Sequence, residues 1–195
     1  MHRLTVVIVL ALGLVACASA PKDAPPLPRA ENVDLERFMG DWYVIAHVPL
    51  PPEDEAFNAV ERYALCADRR VETVFRYRDG GFEEKLKISR PTGYPGVEGD
   101  PAEWGMSFIW PFRAEFIIAW LDADYDSTIV ARTRRDYAWL MHRAPEMPTE
   151  QKVEALARLE AMGYAPEDVR MVPQRWPEAD GLAAPGPVSL PQCED

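Results

Sequence analysis

From Gly40 onward the chain divides into eight short runs of strand-forming residues, at 42–48, 59–65, 71–78, 82–89, 104–110, 115–121, 128–133 and 137–142, separated by turn residues. Runs of this length and rhythm describe an antiparallel meander. Eight strands are the number that closes an up-and-down barrel just wide enough to hold one small ligand. Asp79-Gly80-Gly81 predicts a tight hairpin turn, whereas residues 90–103 carry Pro91, Gly93, Pro95, Gly96, Gly99 and Pro101 and read as a longer link. One amphipathic helix is expected over 149–162: Thr149 caps it, Glu150 lies in its positive first turn and Gly163 suits its end. Val153, Leu156, Ala157 and Leu159 give that helix an apolar side to pack on the outside of the barrel, and 169–172 reads as a short closing strand. The predicted class is all-β, an eight-stranded antiparallel up-and-down barrel with one C-terminal α-helix outside; an open β-sandwich is the competing arrangement.

Alternation along each strand assigns side chains to faces. Val71, Phe75 and Tyr77 share one parity, with Glu72, Arg76 and Arg78 opposite and expected in water. Phe82, Leu86 and Ile88 alternate with Glu83, Lys85 and Lys87 in the same way. Trp104, Met106, Phe108 and Trp110 form another set, as do Phe116, Ile118 and Trp120, although the opposite parity there is also apolar. A helix packed over that wall accounts for both faces being greasy. The cavity candidates are therefore Phe75, Tyr77, Leu86, Ile88, Met106, Phe108, Phe116, Ile118 and Trp120, an aromatic-rich set with a methionine that adapts to an alkyl chain. The same side chains also suffice to fill a small barrel outright. Glu61 and Arg62 are adjacent and cannot both leave a regular strand on its outer face. Either one meets a ligand headgroup, Arg62 a phosphate or carboxylate or Glu61 an amine, or a bulge lets both reach water.

The front of the chain reads as a processing segment. Arg3 supplies the positive start, residues 4–14 an apolar run, and Leu14-Val15-Ala16-Cys17 a small-residue cleavage site. Residues 1–16 are thus a signal peptide too short to span a bilayer, which takes roughly 20 apolar residues. Ending at a cysteine, it looks like a lipobox that leaves Cys17 acylated; the alternative is an ordinary signal cut after Ala16, Ala18 or Ala20. Several acyl chains anchor stably where one is marginal. Residues 17–32 are rich in proline and alanine and read as a flexible tether, residues 33–176 as the barrel domain, and residues 177–195 as a disordered tail outside the core. Without Arg3 the mature chain carries 20 basic against 32 acidic residues. That balance excludes nucleic acid, whose binding depends on cationic side chains at phosphates, and leaves the acyl group as the membrane anchor.

Gly40-Asp41-Trp42-Tyr43 reads G-x-W-Y at the entrance to the first strand, Asp124-Tyr125 precedes a later strand, and Arg143 ends the last. With these residues, over roughly residues 33–176, the chain resembles the lipocalin family, especially its bacterial outer-membrane lipoprotein branch. The resemblance implies that Arg143 lies across the face of Trp42 and closes the barrel's base, and that Gly40, Trp42, Asp124, Tyr125 and Arg143 define the fold rather than the ligand. It implies export to the outer membrane, because Ala18 follows the cysteine where lipoproteins retained at the inner membrane usually carry Asp. It also implies a non-catalytic carrier, facing the periplasm, for a fatty acid or lysophospholipid. Two thiols, Cys66 and Cys193, remain after Cys17 is assigned to lipid. In an oxidising compartment such thiols are commonly joined, and lipocalins often staple their C-terminal segment to the barrel wall this way, although Cys66 lies on an earlier strand than the usual partner. A free thiol at Cys66 is the other reading.

No G-x-S-x-G, C-x-x-C, H-E-x-x-H or glycine-rich phosphate loop occurs, and His47 and His142 lack the neighbours of a metal site. Neither a metal nor another cofactor is expected. Against the carrier stand an envelope lipoprotein with a filled barrel whose loops contact another protein, and a lipocalin-type isomerase with Cys66 as its one candidate nucleophile.

Overall fold

Asp34 begins the folded body by capping a helix: its Oδ1 accepts from the backbone N–H of Glu36 and Arg37 at 3.0 and 3.2 Å. The four-residue helix α1 (Leu35–Phe38) that follows is a plug. Phe38 is fully buried, its ring 5.1 Å from that of Trp42, 5.5 Å from Tyr63 and 5.7 Å from Trp104. The computed structural model describes residues 24–51, 53–178 and Cys193, so the signal peptide, Cys17 and most of the tail lie outside the described residues.

Ten strands make one antiparallel sheet: β1 (Gly40–Val48), β2 (Ala56–Leu65), β3 (Val71–Asp79), β4 (Leu86–Ser89), β5 (Thr92–Val97), β6 (Asp100–Ser107), β7 (Ala114–Leu121), β8 (Ser127–Ala131), β9 (Ala138–His142) and β10 (Arg170–Met171). β1 pairs with both β2 and β9, which closes the barrel. β4 and β5 both pair with β3 and act as one stave broken at Arg90-Pro91, so the closed barrel has eight staves. The break has a chemical cause: proline has no N–H for the ladder. The Pro91 carbonyl is instead taken by the backbone N–H and hydroxyl of Thr73.

Two links differ from the sequence reading. Residues 90–103 are largely strand, folded into the β5–β6 hairpin around Glu98-Gly99, both at positive φ. The tight turn falls not at Asp79-Gly80-Gly81 but later, where the Glu84 N–H donates to the Gly81 carbonyl at 3.2 Å. Residues 80–85 form a longer link in which the Gly80 N–H donates to the Glu55 carbonyl, and Phe82 packs edge-on against Phe57, ring centres 4.9 Å apart.

Helix α2 (Thr149–Ala161) lies outside the barrel, ended by Gly163 at φ +91°. Pro148, not Thr149, holds its N-cap position, with no side-chain cap. Ala155 and Leu159 are its buried residues, joining Met162, Tyr164 and the outward Ile117, Ala119, Ile129 and Leu140 in a second core. Of the predicted side Leu156 and Leu159 pack on the barrel, joined by Ala155, whereas Val153 is 60% exposed and Ala157 also faces solvent. This core is why β7, β8 and β9 are apolar on both faces. Among the described residues, no helix is long and apolar enough to cross a membrane.

Both flanking segments pack further than their composition suggested. Leu27 is buried in the second core and the Ala30 N–H donates to the Ile118 carbonyl at 2.8 Å, so the tether reading fails for residues 27–32. Beyond β10 the chain straps across the outer faces of β1, β2 and β3. Val172 donates its N–H to Ile45, and the Gln174 side chain bridges the Val44 and Ala59 carbonyls. Glu178, read as tail, is fully covered. Its carboxylate accepts from Arg78 Nε and Nη2 at 3.0 and 2.5 Å and from the Asn58 amide at 3.1 Å. Arg78, expected in water, is thereby only 6% exposed. Farther along the strap's chain, Cys193 is disulfide-bonded to Cys66 at the end of β2.

Candidate functional site: the barrel cavity

The base of the barrel is sealed by Trp42 and Arg143. The indole Nε1 of Trp42 donates to the Phe38 carbonyl at 2.8 Å, and the Arg143 guanidinium carbon sits 3.6 Å over the indole ring. Gly40 has φ +98°, and a Cβ there would stand 3.3 Å from Arg143 Nη1, so glycine is required both by conformation and by the close approach of the arginine. Tyr125, at φ 64°, accepts from the Asp34 N–H through its hydroxyl and from Arg143 Nε through its carbonyl. Asp124 is exposed in the same turn.

Above this seal, Tyr63, Trp104 and Phe116 fill the lower barrel, with Trp104 and Phe116 stacked at 4.9 Å. Higher still, a cavity of about 280 Å³ remains, close to the lower edge of the roughly 300–1,000 Å³ usual for ligand pockets. Five of the predicted residues line it: Phe75, Tyr77, Met106, Phe108 and Phe116. Tyr137 and Trp139 complete the aromatic wall, and Leu50 and Pro51 lean in from the β1–β2 loop. Alternation along β9 would have found Tyr137 and Trp139; nothing in the sequence marks the loop residues.

The other candidates lie elsewhere. Ile118 points inward but is buried in the packed core away from the cavity wall. Trp120 faces outward, because a bulge between Ile118 and Trp120 reverses the parity of β7; its ring lies 4.9 Å from the Arg158 guanidinium on α2. Leu86 and Ile88 pair with Arg78 and Arg76, outward residues of β3, and Ile88 is 52% exposed; Ser89, opposite Phe75, takes the inward place on that strand. Arg62 also faces out, in a two-pronged ion pair with Asp41 at 2.6 and 2.7 Å. Its neighbour Glu61 is the inward residue.

Glu61 is 1% exposed and lines the cavity, and its Oε2 has no hydrogen-bond partner among the described residues. Burial, reinforced by Glu53, holds its carboxyl well above the usual carboxylate range. Glu53 reaches in from the β1–β2 loop, its Oε2 likewise unpartnered among the described residues. Burial pushes its pKa up to about 7, against the opposing pull of the Trp139 N–H. The cavity is thus mainly apolar, its charged lining being the two unpartnered carboxyls of Glu53 and Glu61, the Glu115 carboxylate, which accepts from the N–H and hydroxyl of Thr133, and Arg132 at its lip.

At the mouth, the β6–β7 hairpin projects a cluster of apolar side chains. Phe108, Ile109, Trp110 and Phe112 are 61 to 84% exposed, an unusual density of large apolar surface for five consecutive residues. Cys66 offers no nucleophile, being held in its disulfide. His47 is buried with its pKa lowered to about 4 by burial and then by Arg170, a neutral core histidine.

The comparisons agree with this geometry. Residues 33–174 match the model of the lipocalin-like domain. The chain is 28% identical over 162 residues to the outer membrane lipoprotein Blc of Citrobacter freundii, covering 82% of this chain and 89% of that protein. It is 22% identical over 165 residues to temperature-induced lipocalin-1 of Arabidopsis thaliana, covering 80% and 87%. Among solved structures, lobster apocrustacyanin A1 superposes with a TM-score of 0.58 at 13% identity, over 76% of this chain and 83% of that one. The cockroach allergen Per a 4 gives 0.58 at 13% identity, over 82% and 97%. An eight-stave barrel sealed by Arg143 over Trp42, and a domain model matched from Val33 to Gln174, make this chain a member of the lipocalin-like family.

Proposed function

We propose that this protein is a non-catalytic carrier of single-chain amphiphiles, a fatty acid or lysophospholipid, held at the outer membrane by an acyl group on Cys17 and facing the periplasm. The observation that carries the reading is the narrow aromatic cavity, open at the end where Phe108, Ile109, Trp110 and Phe112 stand exposed. Affinity in such a space comes from removing alkyl surface from water, about 25 cal/mol per Å², which rewards chain length more than chain identity. The exposed hairpin gives the opening an apolar rim, suited to taking a lipid from a bilayer surface. The anchor is supported by the Leu14-Val15-Ala16-Cys17 sequence and by the similarity to proteins named outer membrane lipoproteins.

Titrating delipidated protein with a fluorescent fatty acid tests the carrier: saturable one-to-one binding supports it, and no saturation overturns it. Membrane fractionation of the parent and Cys17→Ser tests the anchor. The variant is expected in the soluble fraction, and its retention in the membrane would remove the anchor reading.

A further inference from the structure

An apolar barrel has no structural use for two carboxyls inside it. Glu61 is on β2, opposite Trp42 on β1 and Phe75 on β3, and its side chain points at the space those residues enclose. It has no cationic partner there: the arginine beside it in sequence turns outward to Asp41. Glu53 comes to the same space from the β1–β2 loop, near enough that its carboxyl opposes ionisation of Glu61. Burying such groups unpaired costs several kcal/mol, so a ligand that pairs them recovers a large share of that cost. The groups facing the pair are Asp54 on the loop, Tyr63 and Tyr77 from β2 and β3, Tyr137 before β9, Arg132 at the lip, and Glu115 on β7, whose carboxylate is already taken by Thr133. The one fixed cation of that set, Arg132, is turned to Asp136 at 3.5 Å.

We propose that Glu53 and Glu61 form a cation subsite inside the barrel, and that the cavity prefers amphiphiles bearing an ammonium group to those ending in a carboxylate. This rests on the carrier reading and narrows its ligand class. An alkylammonium has three N–H donors for the open carboxylate oxygens, in charge-assisted bonds strengthened by the dry surroundings. A fatty acid entering the same space keeps its carboxylate at the lip, where Arg132 lies, and leaves the two glutamates unpaired. Binding of the amine also draws protons off the pair, because an adjacent cation favours the charged carboxylate.

The test displaces a fluorescent hydrophobic probe, N-phenyl-1-naphthylamine, from purified full-length protein with dodecylammonium or dodecanoate at the same pH. Dodecylammonium is expected to compete at least tenfold more tightly and to release protons, read as a dependence of binding enthalpy on buffer ionisation. Glu61→Gln and Glu53→Gln should each bring the ratio towards one. Both remove an ionisable carboxyl while keeping shape, and circular dichroism checks their fold; if one fails to fold, the other carries the test. Equal affinity for the two amphiphiles, or a preference unmoved by either substitution, overturns the subsite and leaves the carrier standing. Failure of both amphiphiles to displace the probe overturns the carrier and the subsite together.

Discussion

The guanidinium of Arg143 lies 3.6 Å above the ring of Trp42 and at the same time donates to the carbonyls of Arg37, Phe38, Asp41 and Tyr125. One side chain thus fastens α1, the start of β1 and the β7–β8 turn to the end of β9. The cation–π contact is worth roughly 0.5 to 2 kcal/mol, and the carbonyls left open by truncation add to it. Arg143→Ala should lower stability by about 3 to 5 kcal/mol and Arg143→Lys by less, in denaturant melts. Ligand affinity of the folded fraction should be unchanged, since the seal lies below the cavity.

The carboxyl pair gives stability a pH dependence of definite sign. Glu53 has a folded pKa of about 7 against an ordinary 4.5, so its contribution is fully present below 4.5 and is lost as pH rises through 7. Glu61 is shifted in the same direction. Glu53→Gln, which cannot ionise, should be more stable than the parent at pH 8 by up to about 3 kcal/mol, with the gap closing near pH 4.5. His47 acts oppositely: its contribution is present above 6.5 and lost as pH falls through about 4, but it is common to both proteins. Melts across pH 4.5 to 8 read the difference directly.

The Arg78–Glu178 pair holds the strap against β3. Glu178→Ala leaves a buried guanidinium and the Asn58 amide short of an acceptor, and should cost about 3 to 5 kcal/mol. Replacing both Arg78 and Glu178 with apolar residues of similar volume should cost much less. A double-mutant cycle in urea separates the pair from the packing around it.

The Cys66–Cys193 bond closes a loop across 127 positions of sequence. By the chain-entropy account, opening it should lower stability by about 5 kcal/mol. Melting with and without reductant checks this, and Cys66→Ser should melt like the reduced parent.

If the exposed hairpin meets lipid, Trp110→Asp together with Phe112→Asp should weaken cosedimentation with phospholipid vesicles by about tenfold or more. Melting temperature should barely move, because these rings cover nothing. Binding of a fatty acid delivered in water should also be retained.

Much of the barrel was legible because its information is local. The run on β3 alternates cleanly, and the two-faced apolarity of the 104–110 and 115–121 runs anticipated a helix packed over the wall. The errors share one cause, a departure from regular alternation. The bulge after Ile118 turned Trp120 out, and the break at Arg90-Pro91 hid a strand behind prolines and glycines. Leu86 and Ile88 misled because hydrophobicity alone set their face, while the register with β3 sets Ser89 inward. Adjacent Glu61 and Arg62 left a choice between one charge entering and a bulge freeing both; that Glu61 enters depends on Asp41 standing across the ladder from Arg62. Glu53 and Glu178 carried no local signal, since each is buried by segments far away in sequence.

The strap has a consequence for the order in which the molecule is completed. Arg78 can reach the Glu84 carbonyl early, but its carboxylate partner comes only with Glu178, and the thiol of Cys66 waits still longer for residue 193. The first three staves therefore cannot mature while synthesis is under way, however early their ladders form. During that interval the growing polypeptide presents a bare sulfhydryl and a guanidinium still without its carboxylate on its flank, and that is when an oxidant or a folding helper would find it open to engagement.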